Sequence, residues 1–134
     1  MTTSLPTFLH SPLSHFGFKT LAILLACAMS NSYAAVHNVR EGDSIQAAVE
    51  AAAPGDIIQV HPGLYRETVY VDKDDITLRG VVEDGKWPNL EGDKQLNDAI
   101  LYSGNGFTVE WFKITNYKGN AIMGQAGNNF SIRN

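Results

Sequence analysis

The chain has 134 residues, a formal net charge of −4, 18% charged and 44% hydrophobic residues, and one cysteine. An acidic balance leaves no basic stripe for nucleic-acid phosphates, and a single cysteine cannot build a disulfide framework. The length supports one small core and no second.

The first 34 residues read as an export signal. Lys19 precedes an apolar run, 21–29, that is too short to span a bilayer but suits the hydrophobic region of a secretory leader. Ser32-Tyr33-Ala34 places small residues where signal peptidase cuts, so the mature chain is expected to begin at Ala35 and to lack the cysteine. Leu24-Leu25-Ala26-Cys27 also resembles a bacterial lipoprotein box, with Cys27 as the lipid-bearing N-terminus; the apolar run continues past it, which favours ordinary cleavage. Either route delivers a periplasmic or secreted protein with no integral membrane segment once the leader is gone. Without the leader, 9 Lys plus Arg face 14 Asp plus Glu, a balance that also disfavours an anionic membrane surface. An anionic polysaccharide would need a local basic row or a bridging cation.

After the leader comes one helix. Asp43 or Ser44 can cap it, Gln46 sits where a capping box reaches back to Asp43, and Ile45, Ala48, Val49 and Ala52 make one apolar face. Pro54-Gly55 ends it. From there the chain turns repetitive. Ile57-Ile58-Gln59-Val60-His61, Asp75-Ile76-Thr77-Leu78-Arg79, Asn105-Gly106-Phe107-Thr108-Val109-Glu110 and Asn128-Asn129-Phe130-Ser131-Ile132-Arg133 each alternate apolar and polar, as a strand with one buried face does. Taking Ile58, Ile76, Phe107 and Phe130 as equivalent gives steps of 18, 31 and 23 residues. Further short strands fall between them, at 68–71, 112–114 and 121–123, and the excess of the longest step falls in a turn-rich stretch, 83–98. Three short strands per repeat, separated by Gly, Asn and Asp, specify an all-β parallel β-helix, a solenoid whose first coil the helix covers. Inward pairs are expected at Ile58/Val60, Ile76/Leu78, Phe107/Val109 and Phe130/Ile132, with Gln59, Thr77, Thr108 and Ser131 as an outward row. A solenoid needs a cap at both ends, and none follows Phe130-Ser131-Ile132; residues 35–134 are therefore expected to be the cap and first coils of a domain whose C-terminal coils are missing.

The succession Ser44-Ile45-Gln46-Ala47-Ala48-Val49, Pro54-Gly55-Asp56-Ile57-Ile58-Gln59-Val60, Pro62-Gly63-Leu64-Tyr65-Arg66-Glu67 and Ile76-Thr77-Leu78-Arg79-Gly80 resembles the opening of right-handed parallel β-helix proteins of the pectin-lyase-like superfamily. The resemblance implies a right-handed coil and an exported protein of bacterial type. It does not choose an activity, since esterases, lyases, epimerases and non-catalytic periplasmic proteins share the fold. Uronic-acid lyases and epimerases need a base and a cation at the sugar carboxylate, and such residues lie mainly on central coils of the superfamily. No catalytic residue is assigned: the chain holds no Asp-Pro-His-Asp cluster, no histidine pair at metal-ligand spacing and no nucleophile with an attendant base.

Three features are candidates for binding. The position just past each apolar pair carries His61, Arg79, Glu110 and Arg133, a row in which arginines would grip a sugar carboxylate or in which Glu110 would be neutralised by Arg79 and Arg133 on either side. Trp111, at a strand junction, is the best sugar platform among Tyr65, Tyr70, Trp87, Tyr102, Trp111 and Tyr117. Asp72-Lys73-Asp74-Asp75 gathers three carboxylates, the ligands calcium prefers; with Lys73 among them it reads as solvated turn chemistry, so no metal or cofactor is assigned, and calcium is left to a longer form of the protein. Asn116, Asn128 and Asn129 read as turn residues able to stack as an amide ladder. The expected function is binding or modification of a polysaccharide by the complete protein, with a non-catalytic periplasmic scaffold as the alternative. An outward cluster of carboxylates and basic groups on further coils would separate the two.

Overall fold

The computed structural model describes residues 32–134; the apolar run of the leader and Cys27 lie outside them. Eleven short strands and one helix follow in the order β1 (Val36–Val39), α1 (Ile45–Ala51), β2 (Ile57–Val60), β3 (Gly63–Tyr65), β4 (Val69–Val71), β5 (Thr77–Gly80), β6 (Pro88–Glu91), β7 (Ile100–Tyr102), β8 (Thr108–Glu110), β9 (Lys113–Thr115), β10 (Ile122–Gly124) and β11 (Ser131–Arg133). They form three parallel sheets, β1-β2-β5-β8-β11, β3-β6-β9 and β4-β7-β10. The coils β2-β3-β4, β5-β6-β7 and β8-β9-β10 each give one strand to each sheet, and β1 and β11 extend the long sheet at its two ends, so the chain is a parallel β-solenoid of about four turns. The interior is a column of apolar side chains, among them Ile58, Val69, Ile76, Leu78, Leu90, Ile100 and Phe107, all fully buried. Among the described residues no helix is long and apolar enough to cross a membrane.

The start of the solenoid is covered in three ways, one per sheet. Sheet edges expose unpaired backbone groups, and here each finds a partner. β1 pairs with β2; the Glu41 carboxylate accepts from Leu64 N on β3 at 3.0 Å; and the Gln46 side-chain oxygen accepts from Tyr70 N on β4 at 2.7 Å. The helix lies over the opening with Ile45 and Val49 buried. Its N-cap is Ser44, whose hydroxyl accepts from Ala47 N. The expected capping box with Asp43 and Gln46 is not formed. Asp43 instead closes a turn on Arg40 N, while the free amides of Ile45 and Gln46 donate to the Glu67 carboxylate at 2.7 and 3.0 Å. A carboxylate brought from β3–β4 takes the role that a local side chain would otherwise fill.

The strand register corrects one alignment and keeps its consequence. Thr77, Thr108 and Ser131 stand level, as expected. Ile58, however, is level with Leu78 and not with Ile76, so Ile57, not Gln59, begins the Thr77 row. A two-residue offset preserves which side chains face inward, and Ile58, Val60, Ile76, Leu78 and Phe107 are all buried, with Val109 3% exposed. Phe130 and Ile132 hold the same register on β11 but remain 54% exposed, because only β8 lies beside that strand. The stretch 83–98, read as turns, contains β6. Pro88 can start that strand because its position needs no amide donor, and the extra length lies on both sides of it, in 81–87, where Glu83 and Lys86 form a small antiparallel bridge, and in 92–99.

Candidate functional site

The outward row on the long sheet consists of Asn38, Gln59, Arg79, Glu110 and Arg133, with Gln59 where His61 was expected. His61 is one position beyond β2 and turns to Glu83 and Asn38, which meet its two ring nitrogens at 2.9 and 3.0 Å. Within the row, Gln59 Nε2 donates to Asn38 at 3.1 Å and Arg79 Nε donates to Glu110 at 2.6 Å. Arg133 stands level with Glu110, but its Nε donates to Ser131 Oγ at 3.0 Å. Four of the five thus pair within the row, with Arg79 and Glu110 neutralising each other on adjacent strands; the expected second flank of Glu110, Arg133, does not join them.

Trp111 holds a more distinctive position. It turns the chain from β8 to β9 with φ 64, a left-handed conformation that bulky residues rarely adopt and that carries strain. Its carbonyl lies against Gly80 so closely that any side chain there would collide with it. Across the turn, Trp87 occupies the equivalent position one coil earlier, two residues before the paired Asn89 and Lys113. The two indole rings are 5.7 Å apart between centroids and inclined at 39°, an edge-offset contact. Both rings are more than a third exposed. Trp111 borders a shallow depression with Arg79, Gly80 and Val82; Trp87 borders a second with Glu41, Glu83 and Lys86. Each depression thus sets one flat indole ring beside charged side chains, and the two rings touch.

The other aromatic candidates serve the structure. Tyr65 and Tyr102 are buried; Tyr65 donates to His61 O at 2.7 Å and Tyr117 to Glu67 O at 2.5 Å. Burial, aided by nearby carboxylates such as Glu41 for Tyr65 and Glu67 for Tyr117, pushes both phenols up to about 12. Tyr70 is exposed but holds Ser103 at 2.8 Å. The acidic turn is also spoken for. Lys73 donates to the carbonyls of Val49, Glu50 and Ala52 at the end of α1, and Asp74 accepts from the backbone and side-chain amides of Asn105. Asn105 in turn accepts from Asn128 N at 3.1 Å, so a ladder runs from Asp74 through Asn105 to the Asn128 backbone; the expected stack of Asn116, Asn128 and Asn129 is not formed, since Asn116 donates to Glu91 at 3.1 Å and Asn129 takes the left-handed turn before β11. Among the described residues no three His, Cys, Asp or Glu side chains gather where they could hold a metal ion.

Of the two paired tryptophans, Trp87 is the harder to place from the sequence. Its neighbour Pro88 marks a turn, and the irregular 31-residue step hides its equivalence to Trp111. The usable signal is that both tryptophans lie two residues before matched strand positions. Comparison of the chain with protein-family models, curated proteins and solved structures finds no match.

Proposed function

We propose that this chain is an exported, right-handed β-helix of the pectin-lyase-like kind, and that it binds a polysaccharide through Trp87 and Trp111. The observation that carries the reading is the pair of adjacent, partly exposed indole rings at equivalent corners of successive coils. Rings spaced along a solenoid offer stacking faces to successive sugars of an extended chain, and the flanking Arg79, Glu83 and Lys86 supply hydrogen-bonding groups at the rim. Right-handedness is supported by general chirality, since β2, β5 and β8 are parallel neighbours joined by crossover connections. Arg79 is neutralised by Glu110, and the carboxylates beside Trp87 are engaged, Glu41 by Leu64 N and Glu83 by His61, which favours binding over turnover in these coils and keeps the scaffold reading as the rival.

Titration with neutral and uronic-acid oligosaccharides, followed by tryptophan fluorescence and calorimetry, tests the proposal. Trp87→Ala and Trp111→Ala are each expected to weaken binding about tenfold, equivalent to about 1.4 kcal/mol. Binding that survives the double substitution, or no binding by the unsubstituted chain to any of these sugars, sinks it in favour of the scaffold.

A further inference from the structure

In the column of inward residues just before each strand of the long sheet, one position breaks the pattern. Ile76, Phe107 and Phe130 are level with one another, and the first coil places Asp56 there. This carboxylate is only 7% exposed. It accepts from Ala35 N through Oδ1 at 2.9 Å and, through Oδ2, from Ala53 N at 2.9 Å and His37 Nε2 at 2.8 Å. His37 adds a positive charge only when protonated. These bonds favour the carboxylate form, and a full positive charge at one of them would add an ion pair.

Ala35 is where that charge can arise. Residues 32–35 have no regular secondary structure and are exposed, Tyr33 by 83%, and Ser32 and Ala34 are the small residues that a leader-removing peptidase reads. Ala35 is held independently of the residues before it, because its carbonyl accepts from Ile57 N at 2.9 Å. We propose that the Ala34–Ala35 bond is a processing site and that Asp56 is the receiving group for the new N-terminus. Hydrolysis adds water across the Ala34 C–Ala35 N bond, leaving a carboxylate on Ala34 and an ammonium on Ala35. The amide that already touches Asp56 thereby becomes a unit charge without moving, and the hydrogen bond becomes an ion pair. Processing then strengthens the solenoid at its first rung, where α1, β1 and β2 meet. The inference rests on the leader reading, although the ion pair can be tested apart from it.

For the test, residues 29–34 of the full chain are replaced by the recognition sequence of a protease that reads only the residues before the cut, and the protein is melted before and after cutting. The cut chain is expected to melt about 4 °C higher, and its Ala35 amine to titrate about one unit above the ordinary 7.7–8.0 of an α-amino group. The groups facing that amine are Asp56 from the α1–β2 turn and His37 from β1. With the amine raised, the gain is full below about pH 8 and is lost as pH rises through the raised value. Acetylating the freed amine, or introducing Asp56→Asn, should abolish the gain; the acetylated sample keeps the test decisive if Asp56→Asn folds poorly. Equal melting before and after cutting, with an ordinary amine pKa, overturns the ion pair. N-terminal sequencing of the exported protein that finds a start other than Ala35 overturns the processing site whatever the melts show.

Discussion

Single charged side chains fasten the lid of this solenoid at both ends. Glu67 accepts from Ser44 Oγ, Ile45 N and Gln46 N at the start of α1, and Lys73 donates to three carbonyls at its finish. Both signs match the helix dipole. A seven-residue helix is too short to be stable alone, so removing either clamp should loosen the lid as a unit. Glu67→Ala is expected to cost about 2 kcal/mol and Ser44→Ala about 1 kcal/mol in urea unfolding. The pair should be non-additive, because Ser44 donates to Glu67 while accepting from Ala47; additive losses would mean that the two act separately. Asp56 sets a pH dependence at the same scale. Hydrogen bonds from His37, then Ala53 and Ala35, hold it at about 2, below the ordinary 3.8. Amide and side-chain bonds from Asn120 lower Asp98, and Thr115 followed by Asn116 lowers Glu91. A lowered native pKa gives stability that is full above the unfolded value and lost as pH falls from about 4 toward 2. The urea midpoint should drop across that window, and less steeply in Asp56→Asn; identical slopes would refute the role given to this carboxylate.

At the scale of strands and turns, the repeat is written in backbone conformation more faithfully than in side-chain spacing. Gly55, Asp75, Gly106 and Asn129 stand at equivalent positions, and all four have positive φ, between 57 and 91. Gly, Asp and Asn are the residues that enter the left-handed region most readily, and each here swings the chain into the next strand of the long sheet. This signal was in the sequence, in Gly55-Asp56-Ile57, Asp75-Ile76-Thr77, Gly106-Phe107-Thr108 and Asn129-Phe130-Ser131. Aligning apolar residues alone missed it in the first coil, because Asp56 replaces the apolar residue there and shifted the match by two positions. β1 was illegible for a different reason: Val36–Val39 precedes the helix and shows no turn of the repeat, so only pairing with β2 reveals it as a strand. Trp111 breaks the rule by taking a left-handed conformation without a suitable side chain, and Gly80 makes room for it. Gly80→Ala should force the Trp111 turn outward, costing about 2 kcal/mol and changing tryptophan emission. A crystal structure of that variant with the Trp87–Trp111 contact unchanged would show that the glycine is not what the turn requires.

Over the whole molecule, strand pairing joins each coil only to its neighbours, while Tyr117 reaches past a coil, to Glu67 O, so stability accumulates mainly along the axis instead of arising from one centre. The architecture was legible because a three-strand repeat leaves few alternatives, and the lid was legible from the apolar face of the helix. The tryptophan pair was only half legible: Trp111 stood out at its strand junction, whereas its contact with Trp87 depends on coil stacking across an irregular loop. The same axial arrangement predicts a gradient. Leu78 is fully buried between coils, with β2 on one side of its strand and β8 on the other, whereas Ile132 is 54% exposed. Leu78→Ala should therefore cost about 3 kcal/mol, and Ile132→Ala in this chain less than about 1 kcal/mol. Hydrogen exchange should follow the same order, with the amides of β2 and β5 protected longest and those of β10 and β11 first to exchange. A single uniform protection factor from β1 to β11 would mean that the coils open only together, and that the solenoid behaves as one cooperative block rather than a stack.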